Sequence, residues 1–214
     1  DAGIPKPVNK REVGRKMLAV LHKTLGEPNA VHEAARQYHQ QTGIADNGAS
    51  HQMNEDVSRK VAGAYEAGQH QPANPHTRAS YQALKNEVLA QYNHLKSRGY
   101  KFTPYGEGAG QLGPYRDHHD IMKDVLGNKH LHVYSGGNPP PDHPLSEPLP
   151  GNDPLGTYNV AFRAVHDVFG HAQHGHDFSH QGEENAWLAH HRMFSPAAQP
   201  ALATETRGQN AAFW

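Results

Sequence analysis

His166 and His171 are the residues whose spacing points to chemistry. They lie in Phe162-Arg-Ala-Val-His166-Asp167-Val-Phe-Gly170-His171, with an acid beside the first and a glycine before the second. Imidazole is a common ligand of divalent transition metals, and a carboxylate usually completes such a set. Two carboxylate-bearing segments follow: Gly182-Glu183-Glu184-Asn185-Ala-Trp187 and Thr204-Glu205-Thr206-Arg207-Gly208-Gln209. The spacing constrains the geometry. Residues five apart on a straight α-helix are rotated by about 140° and lie about 7.5 Å apart along the axis. Two such imidazoles meet at one ion only if the chain bends between them. Gly170 supplies a residue that ends the helix or relaxes its last turn at little steric cost.

The chain has 19 histidines among 214 residues, so chance pairs are common. This pair stands out because Phe162, Val165, Val168 and Phe169 give its helix an apolar face, placing the histidines at a buried boundary. Glu184 and Glu205 are both candidates for the third ligand. Asp167, Glu184 and His190 are candidates for ordering the ligands or moving protons. Arg163, Arg207 and Gln209 have donors that suit a carboxylate or amide of a small-molecule substrate. Two histidines and one carboxylate leave adjacent positions open. That suits Fe(II) and O₂-dependent hydroxylation, or zinc-bound hydroxide with Glu184 or Asp167 as general base.

His166-Asp-Val-Phe-Gly-His171 resembles the His-Glu-Leu-Leu-Gly-His motif of the pterin-dependent aromatic amino acid hydroxylases. Phe178-Ser-His-Gln-Gly-Glu-Glu184-Asn-Ala is similar to that family's Phe-Ser-Gln-Glu-Ile-Gly stretch. Ala203-Thr-Glu205-Thr-Arg-Gly208 is similar to its Thr-Val-Glu-Phe-Gly stretch. The resemblance implies a mononuclear non-heme iron held by His166, His171 and Glu205, with Asp167 replacing the family's acid beside a reduced pterin. It spans the region from His166 to Gly208, and no clear pterin-binding segment stands upstream. The C-terminal half also resembles proteins of phages and mobile elements, which implies a non-catalytic accessory domain as a third reading.

These residues need elements to hold them. Tyr81, Leu84, Val88, Tyr92 and Leu95 recur at three and four, which predicts a long helix over 76–98. Similar patterns predict helices over 10–25, 30–41, 54–67, 116–126, 157–170, 182–194 and 197–209. Tyr100–Phe102 and His130–Tyr134 alternate as short strands and are expected to pair. Residues 135–156 hold seven prolines and four glycines, an irregular crossing suited to a lid over the site or a solvated connector. The expected fold is mainly α, a loop-rich, irregular single domain with a small two-stranded sheet. Residues 1–9 form an N-terminal arm, and 10–214 form the domain, its metal site within 157–210.

A net charge of −1 gives no general electrostatic case for nucleic acid. With no cysteine there is no disulfide framework, no thiolate zinc site and no iron–sulfur cluster. No apolar run approaches the ~20 residues of a membrane span, so a cytoplasmic protein is expected.

Overall fold

A computed structural model describes residues 29–44, 53–106, 113–137 and 139–214. The arm over 1–9 and the helix expected over 10–25 lie outside these residues. The described chain is mainly helical with one two-stranded sheet, as its periodicities require. Among the described residues no helix is long and apolar enough to cross a membrane.

The first described helices are α1 (Ala30–Thr42), α2 (Glu55–Glu66) and α3 (Pro75–Ser97). Helix α3 is the organising element. The Asn74 side chain accepts from the backbone N–H groups of His76 and Thr77, Pro75 opens the first turn, and Gly99 takes up φ 86° just past the end. Its stripe of Tyr81, Leu84, Val88, Tyr92 and Leu95 is buried, with Leu84, Val88 and Leu95 wholly so. Helix α1 packs on it through Val31, Ala34, Ala35 and Tyr38.

Strands β1 (Lys101–Tyr105) and β2 (His130–Tyr134) pair in parallel, with Lys101 opposite His130 and Tyr105 opposite Tyr134. Parallel pairing needs a crossover, since a tight hairpin cannot join such strands. Helix α4 (His118–Lys123), running on into a π-helical turn at Asp124–Asn128, is part of it. Leu131 and Val133 face the core while their neighbours are half-buried, the period-2 pattern of a one-sided sheet.

Helix α5 (Tyr158–His166) continues into a π-helical turn at Asp167–Ala172. Helix α6 (His180–His191) starts at Ser179, whose hydroxyl accepts from the backbone N–H of Gly182. Helix α7 (Gln199–Ala203), a π-helical turn at Thr204–Gly208, and α8 (Gln209–Phe213) close the chain. The long crossing over 135–156 is pinned at both ends. Arg163 donates to the carbonyls of Tyr134, Gly136 and Gly137, and Asp153 takes hydrogen bonds from Tyr92 and Lys96 of α3.

Candidate metal centre

The bend expected between His166 and His171 is the π-helical turn. An α-helical turn stacks residues four apart, whereas a π turn closes i to i+5 and brings residues five apart together. The two imidazoles meet edge to face with centroids 5.1 Å apart. Gly170 permits this by the room it leaves. A Cβ there would stand 3.0 Å from the carbonyl oxygen of Ala186 and 3.3 Å from Cε1 of His166. So α6 lies close against the turn, and the first histidine packs on the bare glycine.

That approach delivers the acid. Glu183, in the first turn of α6, places Oε2 3.5 Å from Nε2 of His171 and 3.9 Å from Nε2 of His166. His166, His171 and Glu183 are one of two groups of described residues whose donor atoms cluster closely enough to hold an ion. Asn210 donates to the same Oε2 at 3.1 Å, which steadies the carboxylate.

The hydrogen bonds leave the ligand atoms pointing inward. His171 Nδ1 lies 3.2 Å from the carbonyl of His176; a carbonyl only accepts, so this nitrogen carries the proton. Its Nε2 is buried and has no hydrogen-bond partner. An orphaned buried nitrogen facing a carboxylate oxygen is costly unless a cation or proton lies between them. His166 Nδ1 lies 3.2 Å from Nδ1 of His190, so its Nε2 likewise faces the site. The electrostatics agree. Burial pushes the Glu183 carboxyl up, but the two histidines outweigh it and hold it well below the usual carboxylate range. Burial lowers His171, but Glu183 and Asp167 outweigh it and raise its affinity for a proton. Metal–ligand bonds of about 2.1 Å set donors roughly 3.0–3.4 Å apart, so these donors, all within 4.8 Å of one another, would have to draw together to seat a divalent ion.

The other expected site residues lie elsewhere or act differently. Glu205 is not in the cluster. Its carboxylate accepts from the Tyr81 hydroxyl and from Gln209, and lies 3.2 Å from Nε2 of His143. It belongs to a separate cavity of about 660 Å³ that also takes in His143, Asn159, Pro139 and Pro140. The Pro-rich crossing therefore lines this second cavity. Glu184 turns away from the histidines to a two-pronged pair with Arg207, at 2.6 and 3.1 Å. The Arg207 guanidinium in turn lies 4.5 Å over the Trp187 ring. Arg163 spends its donors on three backbone carbonyls. His190 is wholly buried behind His166.

Asp167 lies next to the two histidines. Burial pushes its carboxyl up, against the opposing pull of His171 and His166. Asp167 and Glu183 share a cavity of about 890 Å³ whose other walls include Tyr105, Tyr115, Tyr134 and Phe178. Arg163 and Gln209 border both cavities.

Glu183 was the residue that spacing alone did not single out. A signal existed: Glu183, Ala186 and His190 fall at i, i+3 and i+7, one face of α6, and Ala186 is the small residue that allows close approach. Searches against family models, curated proteins and solved structures return no match for this chain, so its site stands on its own geometry.

Proposed function

We propose that the chain is a metal-dependent enzyme with a 2-His-1-carboxylate centre formed by His166, His171 and Glu183, and that it carries out an O₂-dependent oxidation with Fe(II). The observation that carries this reading is the buried Nε2 of His171, which makes no hydrogen bond and faces the Glu183 carboxylate at 3.5 Å, with Nε2 of His166 alongside. Two histidines and one carboxylate leave three adjacent positions of an octahedral ion open, the arrangement that O₂ and a substrate need. Bound iron would supply the activation of O₂. Insertion of one oxygen atom into a substrate sends the other to water and takes two electrons from a cosubstrate, a reduced pterin or another donor.

The protein's part is binding, exclusion of water and proton handling. Tyr105, Tyr115, Tyr134 and Phe178 offer an apolar wall to an organic substrate. Asp167, held towards its protonated form by burial, is placed to give or take a proton in that cavity. A second reading is a zinc-dependent hydrolase, in which Asp167 would act as general base in its ionised form. Glu184, bound to Arg207, is removed from that role.

Metal content tests the proposal. The native chain, purified without a histidine tag, is expected to hold about one iron per chain, in line with a mononuclear site. His166→Ala, His171→Ala and Glu183→Ala should lose it, while Glu205→Ala and Glu184→Ala should keep it. Oxygen consumption by the iron form supports the oxygenase, and zinc at the same three residues moves the reading to the hydrolase. A chain that takes up neither Fe(II) nor Zn(II) sinks both and leaves the accessory-domain reading. Unfolding on chelation would mark the metal as structural.

A further inference from the structure

Behind the centre lies a line of buried polar groups that neither packing nor the ligand set explains. Gln91 of α3 and His190 of α6 are both wholly buried. His190 sits among aromatic rings: Phe162 and Phe169 stack on it, each at 6.2 Å, and Phe194 meets it edge-on at 4.8 Å. Among the described residues no carboxylate is paired with it. A charged imidazole there would be a buried ion without a counter-charge, so the ring is neutral. A neutral imidazole has one donor and one acceptor, and its surroundings determine which nitrogen is which.

The polarity of this line is set at the backbone. The carbonyl of Met193 only accepts, and Gln91 Nε2 donates to it at 3.1 Å. The Gln91 amide oxygen is thereby turned towards His190, 2.8 Å from its Nε2. An amide oxygen only accepts, so His190 Nε2 bears the proton and His190 Nδ1 bears the lone pair. That lone pair faces His166 Nδ1 at 3.2 Å, so His166 must donate from Nδ1. His166 Nε2, the nitrogen nearest Glu183, is then free to bind a metal.

We propose that Gln91 and His190 form a tautomer relay, anchored on the Met193 carbonyl, that commits His166 to bind metal through Nε2. Both are positioning residues, and the proposal rests on the metal reading above. Its logic resembles that of outer partners at other metal sites, where loss of the partner costs roughly 10–100-fold in affinity. Here the partner is a neutral histidine, itself set by a glutamine on another helix. A neutral chain orients His166 without adding a negative charge beneath the centre.

The test is nitrogen NMR of ¹⁵N-histidine-labelled, metal-free protein, together with Fe(II) and Zn(II) affinities from chelator competition. In the native chain His190 is expected to carry its single proton on Nε2, and His166 a proton on Nδ1. Gln91→Met keeps bulk but removes the acceptor and the donor. It should give His190 mixed tautomers and weaken metal binding by about 10-fold or more. Gln91→Glu, protonated in this buried setting, can donate to the Met193 carbonyl and accept from His190, and should restore both readouts. Packing alone would shift the melting temperature of Gln91→Met without changing the tautomer. A native His190 protonated on Nδ1 overturns the relay. So does a Gln91→Met chain with unchanged tautomer and affinity. If the native chain binds no metal, the reading of the centre fails, while the nitrogen spectrum still decides the relay.

Discussion

At the scale of single residues, the centre depends on which acid reaches two imidazoles. Glu183 and Glu184 are adjacent on α6, about 100° apart around its axis, and their fates differ completely. One faces Nε2 of His171, and the other is bound by Arg207. Exchange of their roles by mutation is therefore not expected: Glu183→Gln/Glu184 intact should still lose the metal. Glu184→Ala should instead lower stability, because it leaves the Arg207 guanidinium over Trp187 without its acid. Arg207 keeps some solvent, its side chain being 25% exposed, so the expected cost is about 1–2 kcal/mol by urea denaturation, below that of a fully buried pair. Glu205 was attractive because of the motif it resembles, yet Tyr81, His143 and Gln209 satisfy its carboxylate. Substituting Glu205 should disturb the packing between α3 and the Thr204–Gly208 turn while metal content stays at the native value.

At the scale of elements, Gly170 sets how closely α6 approaches the histidine turn, and Gly182 sets how closely the Asp177 turn approaches the start of α6. Gly170→Ala places a methyl 3.0 Å from the Ala186 carbonyl and 3.3 Å from His166 Cε1. The neighbours must give by a few tenths of an ångström, for an expected loss of about 1–3 kcal/mol. Metal affinity should fall with it, because the displaced atom belongs to His166, a ligand in the proposed centre. Gly182→Ala is the harsher change, since its Cβ would stand 2.2 Å from both the backbone oxygen and Oδ1 of Asp177. Thermal melts of the two variants should rank Gly182→Ala below Gly170→Ala. The reverse order would mean that the Asp177 turn yields more easily than the α6 contact. The π turn itself was half legible: a bend near Gly170 followed from the five-residue spacing, but not its form. Whether the helix ended or widened depended on α6 standing against it.

Over the whole molecule, α3 contributes a long buried stripe to the core. Leu84→Ala, at a wholly buried position in the stripe, should cost about 2–5 kcal/mol in urea denaturation. The tie between α3 and the Pro-rich crossing should be visible in the pH dependence. Burial pushes the Asp153 carboxyl up, but hydrogen bonds from Lys96, the backbone N–H of Leu155 and Tyr92 outweigh it and lower its affinity for protons. A carboxyl held below its unfolded value, about 3.9, stabilises the fold fully above that pH. The contribution is lost as pH falls through the folded value. Lys96 is 44% exposed, so the effect after screening is expected to be about 1 kcal/mol or less. Stability measured from neutral pH down to the acid limb should fall less steeply in Asp153→Asn than in the native chain. Equal slopes would show that Asp153 contributes nothing to acid sensitivity.

What the sequence determined by itself was local. The stripe on α3, the Asn74 and Ser179 caps, the two alternating strands and the histidine pair around Gly170 all rest on interactions within a few residues. The tertiary structure decided what comes from far apart in the chain. It chose Glu183 over Glu184 and Glu205 by the rotation of α6 against the turn. It made the strands parallel by passing α4 between them, and it set Gln91 behind His190 across 99 residues of chain. A partner three helices away, as Gln91 is from His190, has no periodicity to betray it: its direction is fixed only when apolar faces pack and their small residues set how closely the helices approach.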